Sequence, residues 1–387
     1  MRRFKADYIY TITGDIIPDG IVVTDDHGKI LSITDEKISL DPNIERYEGI
    51  ITPGFINTHC HLELSHLHQK IKQKTGLIQF IKEVILTRNY PEEIILSAIQ
   101  KADEEMWKNG IVAVGDISNQ AISAEIKHKS KIRYHTFIEM IGIEEAKVKE
   151  IMQNASILKN QFKTPASLAL HAPYSISIEL IKELRRYCKG KENKISIHLQ
   201  ESKHETELFM TKTGPFIGFF KDLNINAESF KAKQKNAIQS IVPFLPKKQN
   251  ILFVHNTFTS LKDIYLTKRF DLQLFWAFCP SANLYIENTL PSLDFFKQTD
   301  FPITIGTDSL ASNDSLDILS EMKILKKNTN CFATADILKW ATLNGAMFLG
   351  LQTDMGSIEV GKTPGLNLLQ NLKDGEICEA TTLKKLI

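Results

Sequence analysis

Eight short apolar runs, separated by longer segments of helical period, constrain what this chain of 387 residues can fold into. The intervening segments are amphipathic, as in IELIKELRRYCKG and SLDILSEMKILKK. Strands that alternate with helices predict a parallel sheet, and eight of them predict closure into a barrel. We therefore predict an α/β fold with a (β/α)8 TIM-like barrel whose strands are GFINTHC, IVAVGDI, RYHTFIEMI, SLALHA, KISIHLQ, ILFVHNT, LQLFWAFC and FPITIGTD.

The two ends of the chain differ from this α/β middle. The first residues read as short strands separated by Gly and Asp turns, as in ADYIYTITG and DGIVVTDD. The segment MGSIEVGKTPGLNLL near the other end has the same character. We therefore predict one small β-sandwich domain built from residues 1–52 and 354–387, beside a barrel domain of residues 53–353.

The composition limits the classes of molecule that this chain is expected to bind. The formal net charge is +1, so electrostatics favour neither nucleic acid nor an anionic membrane surface. No stretch approaches the roughly 20 apolar residues that span a bilayer, and the start, MRRFKADYIYTITGD, lacks the apolar region of a signal peptide. Five cysteines without a C-x-x-C pair indicate reduced thiols. We expect a soluble cytoplasmic protein with a small-molecule substrate; a homo-oligomer is allowed, but no feature fixes its size.

The sharpest local feature is NTHCHLELSH, in which His59 and His61 lie two residues apart at the end of a predicted strand. Side chains two apart on a strand share a face, at about 7 Å between backbone positions. Two imidazoles on one face can both reach a cation at about 2.0–2.1 Å. The alternative is a pair of partly exposed loop histidines.

Other titratable residues also end predicted strands: His171, His198, His255 and Asp308. The C-terminal ends of barrel strands converge on one mouth, where catalytic residues lie. Polar groups at the ends of apolar strands are costly to bury without partners, so the set predicts a shared site. Glu201, three residues after His198, is a fifth ligand, a proton carrier or a surface acid.

These motifs resemble the amidohydrolase superfamily over nearly the whole chain. PGFINTHCH is similar to its opening signature, and the later motifs follow in the family's order: HAPYS at 171–175, HLQES at 198–202, HNT at 255–257, CPSAN at 279–283, GTDS at 306–309 and GSIEVGK at 356–362. The likeness is greatest to the mononuclear branch of cytosine, S-adenosylhomocysteine and aminofutalosine deaminases, which includes triazine chlorohydrolases. HLELS resembles the HLEFS of aminofutalosine deaminases.

The resemblance implies one divalent metal, zinc first and iron(II) as the alternative, held by His59, His61, His198 and Asp308. It implies Glu201 as the acid/base, a metal-bound hydroxide as nucleophile, and His255 and His171 facing the substrate. We further expect His255 to stabilise the tetrahedral adduct and Asp308 to carry a second proton to the departing amine.

Substrate recognition is expected from the long connections at residues 64–110 and 202–250. Arg88 can meet a carboxylate or phosphate, Ser312 can face the substrate, and Glu63 contacts the substrate or supports a ligand. The leading function is a hydrolytic deaminase of a purine-, pterin- or nucleoside-like heteroaromatic amine. Hydrolysis of an amide or a halogenated heterocycle, or a non-catalytic barrel, are the alternatives.

Overall fold

We describe the chain from a computed structural model that covers residues 1–34, 42–226, 230, 235–329 and 331–387. Five strands begin the chain, eight occupy its middle and two lie near its end. They are β1 (Arg2–Tyr10), β2 (Ile16–Pro18), β3 (Ile21–Thr24), β4 (Ile30–Thr34), β5 (Ile44–Pro53), β6 (Phe55–Cys60), β7 (Ile111–Ser118), β8 (Arg133–Met140), β9 (Ala166–Leu170), β10 (Ile195–Leu199), β11 (Asn250–His255), β12 (Gln273–Phe278), β13 (Ile303–Ile305), β14 (Leu366–Gln370) and β15 (Thr382–Lys385).

Helices alternate with the middle strands, so the predicted α/β class is confirmed. They are α1 (Leu77–Thr87), α2 (Glu92–Lys108), α3 (Ala124–Lys129), α4 (Val148–Lys159), α5 (Ile178–Tyr187), α6 (Lys203–Thr211), α7 (Pro215–Asp222), α8 (Ala237–Ile241), α9 (Leu261–Thr267), α10 (Pro280–Ile286), α11 (Leu293–Lys297), α12 (Ile318–Asn328), α13 (Thr334–Ala341) and α14 (Leu343–Leu349). Short 3-10 helices lie at Leu62–Leu67, Glu145–Lys147, Pro173–Ser175 and Val242–Phe244.

The eight middle strands coincide with the eight predicted ones and form two parallel sheets, β6-β7-β8-β9 and β10-β11-β12-β13. Backbone hydrogen bonds link these sheets at both junctions. The His198 N–H donates to the His171 carbonyl at 2.9 Å, and the N–H groups of Thr307 and Asp308 donate to the His59 carbonyl at 3.1 Å. Every residue of β6 and β7 is buried, as expected of parallel strands covered on both faces.

The strands of both termini share one mixed sheet, in the order β15-β14-β5-β1-β3-β4, with β2 paired to β1. The pair β1/β5 is parallel, and β14 runs antiparallel to β5. Side chains from both ends, including Phe4, Ile51 and Leu368, form its apolar core. The predicted union of the termini is therefore present; within the described ranges it is a single sheet, and the two-layered sandwich stays a prediction.

The structure also describes the long connections between strands and allows a search for membrane-spanning helices. Helices lie in the described parts of the long connections: α1 and α2 within residues 64–110, and α6, α7 and α8 within residues 202–250. In the part of the chain that the structure describes, we find no helix with the length and apolar character needed to cross a membrane.

Candidate metal centre

Four side chains converge where β6, β10 and β13 end. The Nε2 atom of His61 lies 3.2 Å from Nε2 of His59 and 3.2 Å from Nε2 of His198. The Oδ1 atom of Asp308 lies 3.5 Å from Nε2 of His61 and 3.7 Å from Nε2 of His59. A tetrahedral site with bonds of 2.0–2.1 Å has ligand-to-ligand edges of about 3.3–3.4 Å. These donor atoms therefore have the spacing that one tetrahedral divalent ion requires.

Backbone pairing at the junction of the two sheets holds Asp308 beside the end of β6. Cys60 pairs with Asp308 in an isolated parallel bridge, so the last residue of β6 and the loop after β13 are held side by side. Asp308 adopts a left-handed backbone with φ 56°, and His255 does so with φ 72°. Such conformations cost energy for residues with a Cβ atom and cluster at functional sites. Here they turn the side chains at two strand ends.

Burial favours the neutral form of two of these side chains, His59 and His198. Burial lowers the pKa of His59 well below its ordinary value and, with the neighbouring His171, lowers that of His198 to about 3. Burial alone would raise the pKa of Asp308, but the neighbouring His61 and His255, among other contacts, lower it overall. Three neutral imidazoles and one carboxylate leave a divalent ion with net positive charge.

Hydrogen bonds fix which ring nitrogen and which oxygen face the centre. The Nδ1–H group of His198 donates to the His171 carbonyl at 2.8 Å, which leaves Nε2 as the lone-pair nitrogen. The Ser312 hydroxyl donates to Oδ2 of Asp308 at 2.7 Å, which leaves Oδ1 facing the histidines. Partners of this kind orient metal ligands. Ser312 is completely buried and makes this bond, so the geometry supports a positioning role. Its predicted contact with substrate stays a prediction.

Glu201 and His255 lie together beside this centre. The Oε1 atom of Glu201 is 3.6 Å from Nε2 of His255. Burial, reinforced by the charges of Asp308 and Glu287, raises the pKa of Glu201 well above its ordinary value. The Nδ1 atom of His255 lies 3.1 Å from Oδ1 of Asn283. The arrangement provides a buried carboxyl group able to hold a proton, next to an imidazole of fixed orientation.

His171 lies beside the centre, whereas Glu63 bonds to the loop after β7. The His171 ring lies 5.1 Å from that of His198, and its Nδ1 atom is 2.6 Å from the Ser175 hydroxyl. Both oxygens of Glu63 accept backbone N–H groups, from Asn119 at 3.0 Å and Gln120 at 3.1 Å. Burial raises the pKa of Glu63 to about 7. Glu63 therefore fastens the loop after β7, and its predicted contact with substrate stays a prediction.

The structure does not bring Arg88 into this group. Arg88 follows α1, and its carbonyl oxygen accepts a hydrogen bond from Nε2 of His66 at 3.0 Å. Within the described ranges, no ion pair joins its guanidinium to an acid. Its predicted contact with a carboxylate or phosphate therefore stays a prediction.

Sequence reasoning missed Glu139, near the end of β8. Its Oε2 atom accepts from the Asn119 amide at 3.0 Å, and its Oε1 atom lies 3.7 Å from Nδ1 of His198. Glu139, His171 and His198 form a group whose ligand atoms all lie within 4.8 Å of one another. The signal was present, because Glu139 is a titratable residue near the end of the apolar run RYHTFIEMI.

Comparison with known proteins finds a family model that matches most of the chain. The model of the amidohydrolase family matches residues 50–384, a stretch that contains every residue of the centre. The chain belongs to the amidohydrolase family. The resemblance inferred from the motifs is confirmed, and so is the hydrolase class that it implies.

Two curated amidohydrolase relatives match over most of their length. The chain is 30% identical over 333 residues to an adenosine deaminase of Helicobacter pylori, covering 83% of this chain and 78% of that protein. It is 27% identical over 391 residues to an aminodeoxyfutalosine deaminase of a Nitratiruptor species, covering 95% and 91%.

A solved amidohydrolase structure is similar over the whole fold. The Helicobacter pylori aminofutalosine deaminase in complex with methylthio-coformycin superposes with a TM-score of 0.81 at 25% identity, covering 96% of this chain and 93% of that one. The likeness therefore includes the terminal sheet as well as the eight middle strands.

Proposed function

We propose that this amidohydrolase is a hydrolytic deaminase that replaces the ring amino group of an adenine-type nucleoside by oxygen and releases ammonia. One observation carries the proposal. The donor atoms of four side chains have the spacing of a tetrahedral metal site, and the buried Glu201 lies beside them; the four are His59, His61, His198 and Asp308. The relatives named as adenosine and aminodeoxyfutalosine deaminases support the substrate class.

The proposed ligands are His59, His61, His198 and Asp308, and the ion is one divalent metal. Zinc is the first choice, because neutral imidazole and carboxylate donors in a tetrahedral arrangement suit it; iron(II) is the alternative. When bound, such an ion lowers the pKa of water and so supplies a nucleophile at neutral pH.

Glu201 is the proposed proton carrier. In its carboxylate form it takes a proton from the attacking water, and the carboxyl group so formed delivers that proton to the ring nitrogen next to the amino-bearing carbon. Protonation makes that carbon electrophilic, and the water oxygen forms a bond to it. General acid–base transfer of this kind contributes roughly 10²–10⁴-fold to the rate.

The remaining residues complete the reaction. Asp308 passes the second proton of water to the amino group, the carbon–nitrogen bond breaks and ammonia leaves. His255, 3.6 Å from Glu201 and held by Asn283, stabilises the oxygen of the adduct. His171 lines the substrate side of the centre. Burial of these groups strengthens their electrostatic interactions.

The architecture that we propose for this chemistry is one closed (β/α)8 barrel made of the two linked sheets. The hydrogen bonds at both sheet junctions support closure. We propose domain limits of 53–353 for the barrel and 1–52 with 354–387 for the small β-domain, which the shared terminal sheet supports.

Ammonia release from a panel of substrates tests the function. Protein loaded with zinc, or separately with iron(II), is incubated with adenosine and its 5′ derivatives, with guanine and pterin amines, with a chlorinated triazine, and with open amides. We expect ammonia from the adenine nucleosides at the highest kcat/KM. Turnover of the chlorinated or amide compounds with none of the nucleosides would contradict the proposal.

A further inference from the structure

Glu139 of β8 is a buried carboxylate beside one of the proposed ligands. Its side chain is 4% exposed, and its Oε1 atom lies 3.7 Å from Nδ1 of His198. Among the residues that the structure describes, no donor lies within hydrogen-bonding distance of Oε1. A buried carboxylate oxygen without a hydrogen bond is costly. Neither the proposed ligand set nor the proposed proton transfers use Glu139, so its place beside the centre requires a separate explanation.

Asn119, in the loop after β7, fixes the orientation of this carboxylate. Its side-chain amide donates to Oε2 of Glu139 at 3.0 Å, which leaves Oε1 as the oxygen nearest to His198. The backbone N–H of Asn119 donates in turn to Glu63 at 3.0 Å. Glu63 follows His61 by two residues. These contacts therefore connect the segment that carries one proposed ligand with the strand that carries another.

A second metal ion does not account for this arrangement. Glu139, His171 and His198 offer ligand atoms within 4.8 Å of one another. The Nδ1–H group of His198, however, donates to the His171 carbonyl at 2.8 Å, and its Nε2 atom is the nitrogen that lies 3.2 Å from Nε2 of His61. His198 therefore has no lone pair to offer to a second ion on the side of Glu139.

The charge of Glu139 acts on the proton-bearing side of the His198 ring. An imidazole that coordinates a cation through one nitrogen becomes more positive at the other, and a carboxylate near that other nitrogen stabilises it. Burial keeps water from screening the attraction over 3.7 Å. In the part of the chain that the structure describes, no lysine or arginine forms an ion pair with Glu139. Its carboxylate therefore favours the cation-bound protein and disfavours the metal-free one.

We propose that Glu139 is a positioning residue for His198, whose carboxylate faces the Nδ1–H side of the ring and supplies negative charge to the centre. The inference rests on the proposed ligand set. Carboxylates behind histidine ligands fix the orientation of the ring and make it a stronger ligand, and their loss typically lowers metal affinity by about 10–100-fold. Glu139 touches no reacting atom and acts on the centre through His198.

Zinc affinity tests the proposal without an activity assay. The probe is Zn²⁺ alone, measured by chelator competition in the wild type and in Glu139→Gln, which keeps an oxygen for Asn119 but removes the charge. We expect the variant to bind zinc about 10–100-fold more weakly. Glu144→Gln is the matched control, because Glu144 lies in the loop after the same strand with its side chain 53% exposed; its zinc affinity should equal that of the wild type.

The stability of the metal-free protein separates positioning from packing. Loss of a buried carboxylate that has no cationic partner relieves an unfavourable burial. Chelated Glu139→Gln should therefore have a urea midpoint at least as high as that of the chelated wild type, whereas a packing role predicts a lower one. Asn119→Ala is the second variant; it keeps the carboxylate but removes the bond that orients it, so it should weaken zinc binding too.

The outcomes distinguish this role from the ligand set itself. Equal zinc affinity in the wild type and Glu139→Gln would overturn the role of Glu139 and leave the ligand set standing. A weaker affinity accompanied by an equally large loss of metal-free stability would also overturn it. If Glu139→Gln does not fold, unchanged zinc affinity in Asn119→Ala has the same meaning. A wild type that binds no zinc would instead overturn the ligand set.

Discussion

The Ser312 hydroxyl donates to Oδ2 of Asp308 at 2.7 Å, so that Oδ1 is the oxygen that faces His61, at 3.5 Å. The serine thus determines which oxygen Asp308 would offer to the proposed metal. Removing a partner of this kind typically lowers metal affinity or activity by about 10–100-fold.

We therefore expect Ser312→Ala to bind zinc about 10–100-fold more weakly than the wild type in a chelator competition assay. Ser309→Ala is the control, because Ser309 touches Ser312 and makes no hydrogen bond to the Asp308 carboxylate. Equal zinc affinity in wild type and Ser312→Ala would refute the positioning role.

Glu201→Gln removes the proposed proton carrier and keeps its shape. We expect kcat to fall by about 10²–10⁴-fold while bound metal is retained. Glu207→Gln is the matched control, because Glu207 lies on α6 with its side chain 45% exposed; its kcat should be unchanged. A loss of less than about tenfold in Glu201→Gln would rule out the acid/base role.

The gathering of polar side chains at the strand ends was predictable, because a histidine or aspartate that ends an apolar strand is costly to bury without polar partners. The Ser312 bond to Asp308 was not, because it depends on the left-handed turn at Asp308 (φ 56°), which strand alternation does not encode. Glu139 was overlooked although it met the same criterion as His171.

The long connections show a second limit on what the sequence can predict. Residues 64–110 and 202–250 were predicted from their length to recognise substrate, and this stays a prediction. The cavity of about 340 Å³ that is lined by Ile81 of α1 and Phe219 of α7 depends on tertiary packing. No local pattern places Ile81 and Phe219 on the same wall.

The pH dependence of stability should reflect Glu321. Burial, partly offset by hydrogen bonds from Ser281 and Asn313, raises its pKa from 4.5 to about 8. Between these values the folded state holds a proton that the unfolded state has lost. The stabilisation is thus complete below about pH 4.5 and declines as pH rises to about 8, by at most about 1.4 kcal/mol per pH unit.

Denaturant titrations across this range check the effect. We expect Glu321→Gln to flatten the decline relative to the wild type, whatever its absolute stability. Glu150→Gln, at an exposed position on α4, should keep the wild-type slope. Identical slopes in Glu321→Gln and wild type would show that Glu321 does not titrate in this way.

A buried ion pair supports the segment that follows His59 and His61. Lys127 and Asp116 are fully buried partners, and Oδ1 of Asp116 accepts the Leu62 N–H at 2.8 Å. Lys127→Met leaves the carboxylate unpaired, so we expect the free energy of unfolding to fall by about 3–5 kcal/mol. Lys129→Met, exposed on the same helix, should change it by less than about 0.5 kcal/mol. Equal stability of the two variants would contradict this account.

Elemental analysis of the 387-residue protein, purified without chelator, tests the central claim most directly. With His59, His61, His198 and Asp308 as ligands, we predict about one equivalent of zinc or iron per chain, and far less in a folded His198→Ala variant. Wild-type protein that catalyses deamination while holding no transition metal, or a His198→Ala variant that retains the full equivalent, would contradict the account.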